Sequence, residues 1–97
     1  MLCLDERKAK LVSFKQCFGH QFGIKSIGIF GSVARQENRE HSDLDIVVDI
    51  DNPTLSTMYT LKTVLTEMFH CEIDLVRFRS SLPPFLKQNI EKEAIYV

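Results

Sequence analysis

Three acidic residues could form a cation-binding cluster. Asp43 and Asp45 begin the apolar stretch DLDIVVDI, and Asp74 lies in a second apolar stretch, CEIDLVRF. Side chains alternate between the two faces of a β-strand, so residues two apart share a face. The carboxylates of Asp43 and Asp45 are therefore expected on one face, where Asp74 could join them from a neighbouring strand.

Such a cluster requires a counter-charge. Two unit charges about 4 Å apart repel by about 4 kcal/mol at an effective dielectric constant near 20. Either one acid stays protonated or a cation lies between them. Mg²⁺ prefers carboxylate and phosphate oxygens, and two such ions can hold the attacking and leaving oxygens of an in-line displacement. The acids therefore indicate phosphoryl or nucleotidyl transfer with two Mg²⁺ ions.

A glycine-serine pair supplies the complementary half of such a site. Gly31 and Ser32 follow the apolar residues IGIF, and ten residues separate Ser32 from Asp43. Glycine lets a phosphate approach the backbone, and a helix start offers free N–H groups. Ser32 could donate one hydrogen bond to a triphosphate, and Arg35 could reach a phosphate or form a surface ion pair.

Each of these features also has an ordinary structural explanation. A Gly-Ser pair after a strand is usually a turn, and an Asp-x-Asp pair at a strand end is usually solvated. Asp49 and Asp51 repeat the acidic pair without a glycine-serine pair at the same distance, and Pro53 follows them closely, as at a strand end. The functional interpretation rests on the joint occurrence of turn, spacing, acidic pair and third acid.

The hydrophobic pattern predicts an α/β (α+β) domain with a small mixed β-sheet flanked by helices. The acidic pair begins the second strand, and the glycine-serine pair follows the first. The predicted elements are a helix over 5–18 ended by Gly19, strands over 24–30, 43–51 and 71–78, a short helix over 33–38, a loop over 39–42, a helix from Thr54 or Ser56 to 70, a helix entered at Pro83-Pro84 and ending near 93, and an extended piece over 94–97.

Composition narrows the class of protein. The 97 residues are expected to form one domain, residues 1–97, with 12 basic and 13 acidic side chains. This balance argues against general nucleic-acid binding, which usually shows a basic excess. Three cysteines without metal-ligand spacing, and an N-terminal stretch unlike a signal peptide, indicate a cytoplasmic protein. No apolar run approaches the ~20 residues of a membrane span.

The motif as a whole resembles the nucleotidyltransferase superfamily typified by DNA polymerase beta. Gly31-Ser32, ten residues and Asp43-x-Asp45 match its signature, Asp74 falls where a third metal-binding carboxylate is expected, and Arg35 matches the GSxAR form of minimal nucleotidyltransferases. Gln36 stands where many of those have glycine. The closing LKQNIEKEAIYV is similar to the MntA-type members, antitoxins of HepT-type toxins.

The resemblance implies an ATP- and Mg²⁺-dependent enzyme that transfers AMP to a tyrosine of a HepT-type RNase toxin, with which it forms a hetero-oligomer. Two other functions remain open. The chain could neutralise the toxin by binding alone, or it could transfer a nucleotide to a small molecule or RNA.

Overall fold

The chain forms one mixed sheet with helices on both faces. The computed structural model describes residues 4–34 and 44–97, and for Ser32 and Val33 the backbone alone. The predicted α/β fold with a small mixed sheet is confirmed. The elements in chain order are α1 (Leu4–Phe22), β1 (Ile24–Phe30), α2 (Gly31–Ala34), β2 (Leu44–Ile50), α3 (Leu55–Phe69), β3 (Ile73–Arg77), α4 (Pro84–Glu93) and β4 (Ile95–Tyr96).

The strand order in this sheet is β3-β2-β1-β4. β1 pairs antiparallel with both β2 and β4, whereas β2 and β3 run parallel. The connection between two parallel strands must cross back over the sheet, which is the task of α3. As a result β2 and β3 begin at the same end of the sheet, which is also the end where β1 finishes.

Each face of the sheet carries its own apolar cluster. The alternation along β2 sends Leu44, Ile46, Val48 and Ile50 towards α1 and α3. The opposite face holds a smaller cluster under α4, made by Phe30, Val47, Leu82 and Ile90. Asp45 precedes Val47 by two residues and therefore shares the face covered by α4.

The prediction that Gly19 ends the first helix is wrong. Gly19 is buried inside α1, which continues to Phe22 and is followed by Gly23 at φ 71°. The rings of Phe14, Phe18 and Phe22 stack along one stripe, with centroids 5.3 and 6.2 Å apart. Burial of this aromatic stripe outweighs the helix-weakening effect of one glycine, which is about 1 kcal/mol.

The extended piece over 94–97 is in fact the fourth strand. Ile95 pairs with Ile29 and Tyr96 with Gly28, and the Val97 N–H donates to the Ile27 carbonyl at 3.1 Å. β1 therefore has a strand on each side, in agreement with its apolar sequence on both faces.

The choice between Thr54 and Ser56 at the start of the third helix is settled in favour of Thr54. Its hydroxyl accepts a hydrogen bond from the Thr57 N–H at 3.0 Å, which makes it the N-cap of α3. The predicted loop over 39–42 and residues 35–38 of the predicted short helix lie outside the described residues. Among the helices described, none combines the length and apolarity needed to cross a bilayer.

Candidate active site

Two of the predicted acids lie side by side at one end of the sheet. Asp45 of β2 is the register partner of Asp74 in β3. Neighbouring strands are about 4.8 Å apart, and residues opposite each other in a parallel pair point to the same face. The two carboxylates therefore lie on the α4 face, Asp45 half-buried and Asp74 exposed.

The predicted turn lies directly beside these acids. Phe30, the last residue of β1, is the register partner of Asp45, and Gly31 follows it at φ 74°. A Cβ on Gly31 would collide with Oδ2 of Asp45 and would lie 3.0 Å from its Cγ. Glycine is thus needed here for two reasons, because of the left-handed backbone and because the carboxylate occupies the space of a side chain.

The geometry brings together Gly31, Asp45 and Asp74 from three different elements. Ser32 follows in the backbone of α2, while Arg35 and Asp43 lie outside the described residues. Asp43 belongs to the same sequence pair as Asp45 and directly precedes β2. The roles assigned from the sequence to all six residues, as nucleotide-binding, metal-binding or catalytic groups, remain predictions.

The residues at this end of the sheet fit a hard divalent cation. Two carboxylates in register offer oxygen donors side by side, the ligand type that Mg²⁺ prefers. Within residues 4–34 and 44–97, no group of three or more His, Cys, Asp or Glu side chains is arranged to hold a metal. Asp43, the third acid that the sequence predicts for the site, lies outside these residues.

The second acidic pair is placed differently. Asp51 lies just after β2 and forms an exposed ion pair with Lys25, Nζ to Oδ1 at 3.1 Å. This pairing raises the pKa of Lys25, with the nearby Asp49 as a smaller cause. Asp49 is the register partner of Ser26, four residues along β2 from Asp45. Asp45 and the second pair thus lie towards opposite ends of β2, which supports the interpretation of the second pair as strand-end chemistry.

Comparison with known proteins identifies relatives over the whole chain. The family model described as "Polymerase beta, Nucleotidyltransferase" matches residues 13–97. The protein adenylyltransferase MntA of Thermococcus cleftensis is 36% identical over 98 residues, covering 100% of this chain and 98% of the relative. A Methanocaldococcus jannaschii protein assigned as a protein adenylyltransferase is also 36% identical, with 100% of both chains covered.

Solved structures agree on the fold. A structure assigned to the minimal nucleotidyltransferases has a TM-score of 0.80 at 32% identity, covering 97% of this chain and 95% of the other. A toxin-antitoxin structure with AMP-PNP has a TM-score of 0.74 at 21% identity, covering 92% and 70%. A Shewanella oneidensis complex of a tri-AMPylated HEPN toxin with an MNT antitoxin has a TM-score of 0.69 at 19% identity, covering 96% and 70%.

Proposed function

Because the chain belongs to the polymerase beta nucleotidyltransferase family, we propose that it transfers AMP from ATP to a hydroxyl of a HepT-type RNase toxin and thereby acts as its antitoxin. The observation that carries this proposal is the register of Asp45 with Asp74 directly beside Gly31. Relatives named as protein adenylyltransferases, similar over their full length, support a protein as the acceptor.

The nucleotide is held at the end of the sheet where β1 finishes. Gly31 leaves the backbone open to a phosphate, the Ser32 hydroxyl donates to the triphosphate, and Arg35 offers a guanidinium to the same group. Asp43, Asp45 and Asp74 would hold two Mg²⁺ ions. When bound, these ions neutralise the charge on the phosphate and on the attacking and leaving oxygens.

The transfer step is an in-line displacement at the α-phosphorus. The acceptor oxygen forms a bond to phosphorus as the bond to pyrophosphate breaks, and the hydroxyl proton leaves with a base. Asp74 is the best-placed residue to orient or deprotonate that hydroxyl, because its exposed side chain lies beside the half-buried Asp45. The acceptor is a tyrosine of the toxin, and the reaction takes place in the cytoplasm.

The test is to incubate the purified protein with its HepT-type toxin, ATP and Mg²⁺, and to weigh the intact toxin by mass spectrometry. A mass gain of one or more AMP units is expected, with peptide mapping assigning the modified tyrosine. Asp45→Asn should abolish the gain, whereas Asp49→Asn, which removes an acid near the other end of the same strand, should retain it.

Two results would contradict the proposal. An unchanged toxin mass despite a stable complex would favour neutralisation by binding alone. Full AMP transfer by the Asp45→Asn variant would show that the acids are not needed for the reaction.

A further inference from the structure

A groove runs along the outer edge of β3 in the described sheet, from Leu75, which follows Asp74, to Arg79. Its volume is about 500 Å³, and we define this β3 groove by Leu55 and Met58 of α3, Leu75 and Arg77 of β3, Arg79, and Leu86 of α4. Within residues 4–34 and 44–97, β3 is the outermost strand of the sheet, so the floor of the groove is the strand edge itself. Its walls are the first turns of α3 and α4.

The floor offers backbone hydrogen-bonding groups that are not used by the sheet. The Leu44 N–H donates to the Glu72 carbonyl and the Phe78 N–H donates to the Val48 carbonyl. In a parallel ladder every second residue bonds the neighbouring strand, so Asp74 and Val76 also face β2. Leu75 and Arg77 consequently point their N–H and C=O groups into the groove, and in the described chain no hydrogen bond is made by those of Leu75.

Two cations lie at one end of this edge. Nε of Arg77 donates to the Ile50 carbonyl at 3.4 Å, and Nη1 of Arg79 donates to the Arg77 carbonyl at 2.9 Å. The first bond directs Arg77 towards the end of β2, and the second holds Arg79 at the end of β3. Both guanidinium groups keep further N–H donors available. Neither arginine forms an ion pair with any acid of residues 4–34 and 44–97.

A second copy of this chain is a poor occupant of the edge. Two β3 strands paired antiparallel about Leu75 would place Arg77 and Arg79 on the α3 face opposite Ile73 and Cys71. The acids Glu72 and Asp74 would remain on the other face, because residues one apart alternate. The arginines would therefore meet no carboxylate.

We propose that the β3 groove binds an extended, carboxylate-bearing segment of the protein substrate and leads its acceptor hydroxyl to Asp74. The segment would add a strand to β3 through Leu75 and Arg77, place apolar side chains against Leu55 and Leu86, and pair its carboxylate with the two arginines. This inference rests on the proposed function, since it requires a protein acceptor.

The register predicts a spacing in the substrate. Arg77 and Asp74 are three residues apart on β3, about 10 Å along an extended strand. A paired strand has the same rise, so an acidic residue opposite Arg77 lies three residues from the residue opposite Asp74. We therefore expect an Asp or Glu about three residues from the modified hydroxyl in the toxin.

The first test separates docking from chemistry. Arg79→Glu, at an exposed position, should raise the KM for the toxin about tenfold, with kcat and the KM for ATP unchanged. Lys62→Glu makes the same change of charge on the exposed surface of α3, outside the groove, and should leave all three constants unchanged. Equal KM values for the two variants would overturn the proposal.

The second test measures whether the edge amides of β3 become hydrogen-bonded when the toxin binds. Hydrogen exchange of the free protein should be fast at the Leu75 and Arg77 amides and slow at the Val76 amide, which is bonded to β2. Binding of the unmodified toxin without ATP should slow exchange at Leu75 and Arg77 alone. If the toxin binds and the exchange rate of the Leu75 amide does not change, this inference is overturned, whereas the proposed AMP transfer is not affected.

Protection of Leu75 without any AMP transfer would instead contradict the proposed function and keep the groove. Protection of Leu75 that grows with the concentration of this chain alone would identify a second copy as the occupant and overturn the inference.

Finally, replacing the toxin acid three residues from the modified tyrosine by its amide should raise KM as Arg79→Glu does. A toxin with no acid there would contradict the predicted spacing.

Discussion

The carboxylate of Asp45 occupies the space that a side chain on Gly31 would need. The two residues are 14 positions apart and belong to different elements, yet each limits what the other can be. Glycine at the end of β1 allows the acid to stand close to the chain where a phosphate is proposed to bind. The first prediction follows from this contact.

Gly31→Ala should lower both stability and activity. The left-handed backbone alone costs a non-glycine residue about 1–2 kcal/mol, and the overlap adds to that cost because the Asp45 carboxylate must shift. Displacement of the carboxylate should also reduce AMP transfer about 100-fold. Urea denaturation and initial rates of transfer measure the two effects.

Gly23→Ala provides the matched control for that variant. Gly23 has φ 71°, close to the 74° of Gly31, but no atom of the described residues lies within 4 Å of a Cβ placed there. Gly23→Ala should lower the free energy of unfolding only by the cost of the left-handed backbone, and it should keep full activity. Equal losses of stability in the two variants would show that the contact with Asp45 contributes nothing.

Asp74→Asn should reduce kcat about 100-fold or more while the free energy of unfolding stays close to that of the unmodified protein. The side chain is exposed, so its replacement disturbs no packing, whereas its charge is proposed to serve the transfer. Single-turnover rates and thermal unfolding test this directly. Asp49→Asn is the control. A comparable loss of kcat in that variant would mean that activity depends on the negative charge of the sheet and not on the position of Asp74.

Gly28→Ala should loosen β4. A Cβ on Gly28 would lie 2.8 Å from the Ile95 carbonyl oxygen and 3.0 Å from Cδ1 of Tyr96, within the pairing of β1 and β4. We expect a loss of about 1–3 kcal/mol in the free energy of unfolding, with faster hydrogen exchange at the Val97 amide.

Gly19→Ala is the opposite case. Its Cβ would meet only Cγ of Lys15 at 3.5 Å, an ordinary contact inside a helix. The same substitution should therefore stabilise the protein by about 0.5–1 kcal/mol. Stabilisation by Gly28→Ala, or destabilisation by Gly19→Ala, would contradict the packing described.

Stability should fall above pH 10. Burial raises the pKa of Tyr96 above its usual 10.0, with repulsion from Asp49 and Glu91 as further causes. Above that pH the unfolded chain loses the phenolic proton more readily than the folded chain, so the free energy of unfolding decreases. The raised pKa of Lys25 acts in the same direction, because its interaction with Asp51 is lost as the pH passes through the folded pKa, above 10.5.

Tyr96→Phe should reduce this alkaline loss. Urea midpoints at pH 9 and pH 11 give the measurement, and Tyr59→Phe, at a position that is 74% exposed, is the control. An unchanged difference between the two pH values in Tyr96→Phe would rule out Tyr96 as a source.

The order of the elements and the alternation along β2 could be predicted from the sequence, because both depend on local hydrophobic periodicity. The proximity of Asp45 to Asp74 was also expected, since the acids lie in adjacent strands. The continuation of α1 through Gly19 could not be predicted from the sequence. It depends on an aromatic stripe that packs against the sheet.

The remaining features depend on pairing between distant parts of the chain. β4 has two residues and no periodicity of its own, and it exists as a strand because β1 offers it an edge. The β3 groove likewise combines residues from two helices and a strand edge, and a sequence pattern does not show which strand is outermost. The close approach of the Asp45 carboxylate to Gly31 also depends on pairing between distant parts of the chain.

The parallel pairing of β2 with β3 also determines when the acidic pair can exist. β1 and β2 can pair first as antiparallel neighbours, but β3 can join only after the 15 residues of α3 have folded back across the sheet. Asp45 therefore has no Asp74 beside it until this long-range pairing forms. Because the proposed site needs both acids, measured turnover counts only the copies in which β3 is paired with β2.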